Sequence, residues 1–85
     1  MSFIPKIKNY FYTKFSKEYR TLYELADEFH KNGNYEDALE IYDKLIGLYP
    51  NESEPYLGKG AILNMWGEKY EAIEIYKILI KLNPN

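Results

Sequence analysis

Among 85 residues there is no cysteine and a single histidine, His30. Without thiols there can be no disulfide framework, no Cys-based zinc site and no thiol nucleophile. Zinc held catalytically needs about three protein ligands and structural zinc about four, so His30 with Asp27 three residues earlier falls short of either. No apolar run approaches the roughly 20 residues of a membrane span. The N-terminus lacks the apolar centre of a secretory signal, because Lys6, Lys8 and Asn9 interrupt it. These absences leave a small protein of one domain, expected in the cytoplasm, with no metal and no cofactor.

Charge is scarce in net terms, at -2, which argues against a nucleic-acid partner for the molecule as a whole. That total hides an asymmetry. Residues 1–20 carry five basic groups against one acidic, a net of +4, whereas residues 21–85 carry six basic and twelve acidic groups, a net of −6. Aromatics are plentiful at 18%, ten of them tyrosine. The composition is that of a chain that packs, not of a disordered one.

The dominant positive signal is repetition. GNYEDALEIYDKLIGLYPN from Gly33 and GEKYEAIEIYKILIKLNPN from Gly67 agree at 10 of 19 positions, 34 residues apart. The same offset pairs Leu22 with Tyr56, Ala26 with Gly60, Phe29 with Leu63, Ala38 with Ala72, Tyr42 with Tyr76, Leu45 with Leu79, and Pro50 with Pro84. Within each unit apolar residues recur at three- and four-residue steps, as helices require. Gly33 suits the left-handed turn that ends a first helix, and Glu36 and Asp37 suit the positive start of a second. Pro50 and Pro84 stop that second helix. Ser53-Glu54-Pro55 reads as an N-cap with proline in the first turn, and Glu40–Lys44 as a modest i,i+4 pair. Small residues at Ala26, Gly60, Ala38 and Ala72 let backbones approach, with Tyr42, Tyr76, Phe29 and Leu63 filling the space around them. A larger side chain at a small position would overpack the contact at about 1–3 kcal/mol.

This pattern resembles the tetratricopeptide repeat. From Tyr19 the first unit supplies Leu22, Leu25-Ala26, Phe29, Gly33, Tyr35, Ala38, Tyr42, Leu45 and Pro50. From Ser53 the second supplies Tyr56, Lys59-Gly60, Leu63, Gly67, Ala72, Tyr76, Leu79 and Pro84. The second unit departs twice: Lys59 replaces the expected Leu, and the turn Tyr slides to Tyr70. The expected fold is all-α, an α-solenoid of two antiparallel helix-turn-helix repeats at 19–52 and 53–85, preceded by an N-terminal amphipathic helix in residues 1–18.

The resemblance implies a non-enzymatic module that binds another protein or peptide along a groove lined by the first helix of each repeat. Carried onto this chain, the groove positions are Arg20, Tyr23, Asp27 and His30, then Glu54, Leu57, Ala61 and Asn64. The carboxylate clamp of chaperone-binding relatives is missing, since Tyr23 and Asp27 stand where Lys and Asn are needed, and Gly58 and Ala61 occupy the second repeat. A groove of Tyr, Leu and Ala edged with acids suits an apolar partner segment with some basic residues. Gly58-Lys59-Gly60 is not a phosphate loop, because no Gly stands at 53 to open GxxxxGK.

Two further surfaces raise expectations. The last helix is unusually apolar, and Ile73, Ile75, Ile78, Ile80 and Leu82 are expected to form a self-association surface, or one covered by a further repeat or a partner. A chain ending in phase at Pro84-Asn85, with fewer than the usual three repeats, fits either a piece of a longer array or a homo-oligomer. The N-terminal segment is not a half-repeat, because the register puts Lys8 where an aromatic belongs and Phe11 where a small residue belongs. On a helical wheel Phe3, Ile4, Ile7, Tyr10, Phe11 and Phe15 share an arc of about 140° opposite Lys6, Asn9, Thr13, Ser16 and Lys17. A helix packed on the first repeat is the preferred reading. A membrane-surface helix that would make the chain an adaptor ranks second, and a mitochondrial-type targeting segment third.

Overall fold

The computed structural model describes residues 16–82 as four helices in chain order: α1 (Lys17–Lys31), α2 (Tyr35–Leu48), α3 (Ser53–Met65) and α4 (Lys69–Leu82). Each packs on the next, α1 on α2, α2 on α3 and α3 on α4, which makes an all-α solenoid of stacked hairpins. Of the expected N-terminal helix in residues 1–18, residues 1–15 lie outside the described residues, as does Pro84, whereas Ser16 caps α1 and Lys17 and Glu18 begin it, so the boundary expected at 18/19 falls inside α1.

Each hairpin turns in the same way. α1 runs out at Asn32, and Gly33 takes φ 81°. The Gly33 N–H then donates to His30 O at 3.1 Å and the Asn34 N–H to Phe29 O at 2.8 Å. In the second hairpin Gly67 takes φ 80°, Gly67 N–H reaches Asn64 O at 3.1 Å and Glu68 N–H reaches Leu63 O at 2.9 Å. Both are six-residue closures around a left-handed glycine that satisfy carbonyls at the helix end. A side chain at either glycine would meet a strained backbone.

Starts are less uniform. Ser16 caps α1, its Oγ accepting from Tyr19 N–H at 3.1 Å. Asn34 makes no side-chain cap to α2, where Glu36 and Asp37 occupy the first turn instead. The cap expected at Ser53 is displaced: Glu52 is the N-cap of α3, without a side-chain cap bond, and Ser53 is the first helical residue. Pro55 therefore sits third in α3, still inside the turn whose N–H groups have no helical partner. α2 ends at Tyr49 ahead of Pro50, and Tyr56 hydroxyl donates to Pro50 O at 2.8 Å, pinning the connection to α3.

Two clusters form the core. The first joins Tyr19, Ala26, Ala38, Tyr42, Leu45 and Ile62; the second joins Tyr56, Leu63, Ala72 and Ile75, with Ile46, Leu79 and Leu82 packed against it. Ala26 and Ala38 are fully buried and Ala72 and Gly60 buried, so the small positions lie where helices meet. Ile62 belongs to the first hairpin's cluster although it lies on α3, which is how the two hairpins become one body. Full burial of one such aliphatic side chain contributes about 1.5–3 kcal/mol.

Lys59, the departure from the repeat pattern, is explained by this interface: its Nζ pairs with Asp43 at 2.6 Å across α2 and α3. Among the described residues the other ion pairs are Asp27–Lys31 and Glu74–Lys77, and the expected Glu40–Lys44 contact does not form. Tyr70, the displaced turn tyrosine, stands 88% exposed, whereas Tyr35 lies edge-on to the His30 ring at 5.7 Å. The one-place slide carries the ring off the hairpin.

Candidate functional site

The eight groove positions fall at three- and four-residue steps on α1 and α3, so each set occupies one strip of its helix. Tyr23, Asp27, His30 and Glu54 are half-buried, while Arg20, Leu57, Ala61 and Asn64 are exposed. Two contacts tie the strips together. Tyr19 hydroxyl donates to Glu54 Oε1 at 3.1 Å, from α1 to α3. Tyr42, reaching from α2, lies against α3 at Gly58, where an added Cβ would enter the ring.

Beneath these strips runs a continuous row of rings. Tyr49 meets Tyr19 edge-on at 5.3 Å, Tyr19 stacks parallel to Tyr23 at 6.1 Å, and Tyr23 lies tilted against Tyr42 at 6.3 Å. Tyr42 then meets His30 edge-on at 6.0 Å, with its hydroxyl 3.1 Å from His30 Nδ1. Such pairs each contribute roughly 0.5–1.5 kcal/mol beyond their buried area. The far end is held by Tyr49 hydroxyl donating to Glu18 Oε1 at 2.7 Å.

Burial, then the nearby Glu54 carboxylate, pushes the Tyr19 phenol far above its ordinary value. Burial likewise pushes Tyr42 up to about 12, with Tyr23 and Asp27 adding to it. Both hydroxyls stay protonated at neutral pH, and that of Tyr19 donates to Glu54. Asp27 is engaged with Lys31 at 3.0 Å, a bond that in turn raises the lysine's pKa.

The repeat pattern assigns Tyr42 to packing alone and does not place Tyr19 or Tyr49 at the site. A phenol instead of a phenyl at the repeated ring position was the available signal, since a buried hydroxyl needs a partner. Ile75, expected on the self-association surface, is buried against Tyr56, Leu63 and Ala72, and Leu82 packs on the same cluster. Ile73, Ile78 and Ile80 remain exposed on α4, at 49%, 37% and 68%.

Three concavities lie beside α1 and α2, and none of the eight groove residues lines them. One of about 520 Å³ is bounded by Glu36, Asp37, Leu39, Glu40, Asp43 and Trp66, beside the α2–α3 contact. The α1–α3 face has an aromatic floor. Among the described residues no cluster of potential metal ligands forms, and no helix is long and apolar enough to cross a membrane.

Hairpins stacked by their small positions, with one strip of each first helix left open, define a helical-repeat protein of the α-solenoid class. Residues 19–52 match the family model described as tetratricopeptide repeat, which identifies that segment as one such repeat. Over 54 residues the chain is 35% identical to the protein O-mannosyl-transferase tmtc2 of Xenopus laevis, an alignment covering 64% of this chain and 6% of that relative. The shared stretch is thus a small part of a much longer protein. No solved structure matches the chain.

Proposed function

We propose that the chain is a protein-binding module whose α1–α3 face receives a helix or extended segment of another protein, apolar with some basic residues. Tetratricopeptide repeats generally mediate contacts between proteins; the occupant and the face are our reading. One observation carries it. Leu57, 54% exposed, lies on the stretch of α3 that Glu54 and Gly58 tie to the rings of Tyr19 and Tyr42. An exposed apolar side chain on a floor already fixed by mutual packing can bind with little further ordering. Asp27 and Glu54 supply the acidic edge. His30, held by Tyr42 and Tyr35, serves as a packing partner, which suits contact in place of proton transfer.

The test is a photo-cross-linking residue at Ala61, compared with one at Glu71 on α4. A partner trapped from position 61 and not from 71, and lost on Tyr23→Ala or Leu57→Ala, supports the groove. Identical adducts from both positions, or an adduct that survives Leu57→Ala, would overturn it.

A further inference from the structure

α4 repeats α2 at a 34-residue offset, yet the two helices end in different surroundings. α2 is covered by α3: Tyr42 lies against Gly58, Asp43 pairs with Lys59 at 2.6 Å, and Ile62 is buried with Tyr42 and Leu45. The same face of α4 is open. Tyr76 is 38% exposed where Tyr42 is 2%, and Ile80 is 68% exposed where Ile46 packs on the second cluster. One charge is reversed, because position 77 is Lys where position 43 is Asp.

We propose that this face of α4 docks a helix of a partner protein, one that sets a small residue against Tyr76, an acidic residue directly after it against Lys77, and an apolar residue three positions further on. The α2–α3 contact is the template, with the charged pair inverted. A small residue is favoured because the docked helix would meet the Tyr76 ring as α3 meets that of Tyr42, where a Cβ on Gly58 would enter the ring. Acidic is required because a base there would face Lys77 as a like charge. Lys77 is free to turn: its pairing with Glu74 at 3.2 Å joins two side chains that are 63% and 71% exposed, a contact that contributes little.

Two of this chain's own segments suit the face poorly. In the repeat register a second copy's α1 would bring Glu24 against Tyr76 and Leu25 against Lys77, the wrong size and the wrong charge. Residues 1–15 carry Lys6, Lys8 and Lys14 and no acid. The surface is separate from the α1–α3 groove, and its occupant is chosen by the charge of Lys77.

Two helix-stapled peptides spanning residues 52–68, one native and one with Lys59→Glu, serve as probes against the full chain in fluorescence anisotropy. The Lys59→Glu peptide is expected to bind about fivefold tighter, the effect of one partly exposed ion pair. Lys77→Asp in the full chain, where the side chain is exposed, reverses the order, and Gly58→Leu in the probe abolishes binding. Leu57→Ala in the full chain leaves the ratio unchanged, which separates this surface from the groove. Four results would overturn the proposal. These are equal binding of both probes, an order indifferent to Lys77→Asp, no binding by either peptide, and a full chain that dimerises through α4 and is made monomeric by Ile80→Lys.

Discussion

Tyr42 and Tyr76 hold the same place in the repeat and the same place on their helices, yet one is buried and the other is not. The first has α3 over it, a hydroxyl partner in His30 and a ring neighbour in Tyr23. The second lies against its own hairpin at Gly60 and is 38% exposed. Sequence position fixes which way a side chain points, whereas the presence of a further helix fixes whether it is covered. An inner hairpin is therefore held from two sides and a terminal one from a single side, as expected of a one-dimensional stack.

The strongest way to break this comparison is to remove both rings in turn. Tyr42→Ala should destabilise the chain by about 3–5 kcal/mol, the range for deleting a buried large aromatic, enough to unfold much of a small domain. Tyr76→Ala should cost about 1 kcal/mol. Urea titrations followed by far-UV circular dichroism give both numbers, and equal losses would mean that α3 does not distinguish the two sites.

A smaller effect separates the two glycines of α3 that face these rings. At Gly58 a Cβ would fall within the Tyr42 ring, and that ring is held on its other side. Gly58→Ala should cost about 1–3 kcal/mol, as overpacking does. At Gly60 the Cβ would meet Tyr76 Cε1 at 2.9 Å and Ile75 Cγ2 at 3.4 Å. Tyr76 is partly exposed and can tilt away, and the first hairpin already carries Ala26 at this place. Alanine also favours helix over glycine by up to about 1 kcal/mol. Gly60→Ala should therefore be neutral or stabilise slightly by thermal melting, opposite in sign to its neighbour two residues away.

Helix starts sharpen the contrast at a lower energy. Ser16→Ala removes the one side-chain cap described at a helix start and should cost about 1 kcal/mol. Asn34→Ala, at a start with no cap bond, should change stability by only a few tenths. The pair can be read as a difference in melting temperature.

Much of the fold was legible because repetition is a property of sequence. The 34-residue offset located both glycine turns, which do take positive φ, and the alanines at the helix contacts, which are buried. What a neighbouring helix decides was not legible. Tyr76 inherits the repeat position of Tyr42 without its cover. Ile75 reads as part of an apolar stripe, but 100° per residue turns it inward beside Ala72 while Ile73 and Ile80 face out. Lys59 reads as a lapse in the pattern until Asp43 is found opposite it. The Ser53 cap missed by one residue because Glu52 takes the extended backbone and Ser53 the first helical place. For the proposed groove, spacing puts four residues along one strip of α1 and four along one strip of α3, but the tyrosines beneath them come from α1 and from α2 with its C-cap, which no single-helix pattern links.

The hydroxyl of Tyr42 offers the finest test of the same comparison, because Tyr76 carries an identical group with no such burial. In the folded chain burial holds the Tyr42 phenol up near 12, above its ordinary value of about 10. The neutral form is thus favoured by folding. Its contribution is fully present below pH 10 and is lost as pH rises from there through 12. Tyr42→Phe should lower stability by about 0.5–1.5 kcal/mol at pH 8, the worth of one hydrogen bond, here the one to His30. Phenylalanine cannot ionise, so the deficit should shrink as pH rises above 10 and reverse in sign towards pH 12, because a rise in pKa from about 10 to about 12 is worth about 2.7 kcal/mol. Tyr19, shifted in the same direction, keeps an alkaline fall in both proteins. A Tyr42→Phe deficit that stays constant to pH 12 would show that this hydroxyl is not held neutral by the fold, and that the cover provided by α3 reaches the ring but not its oxygen.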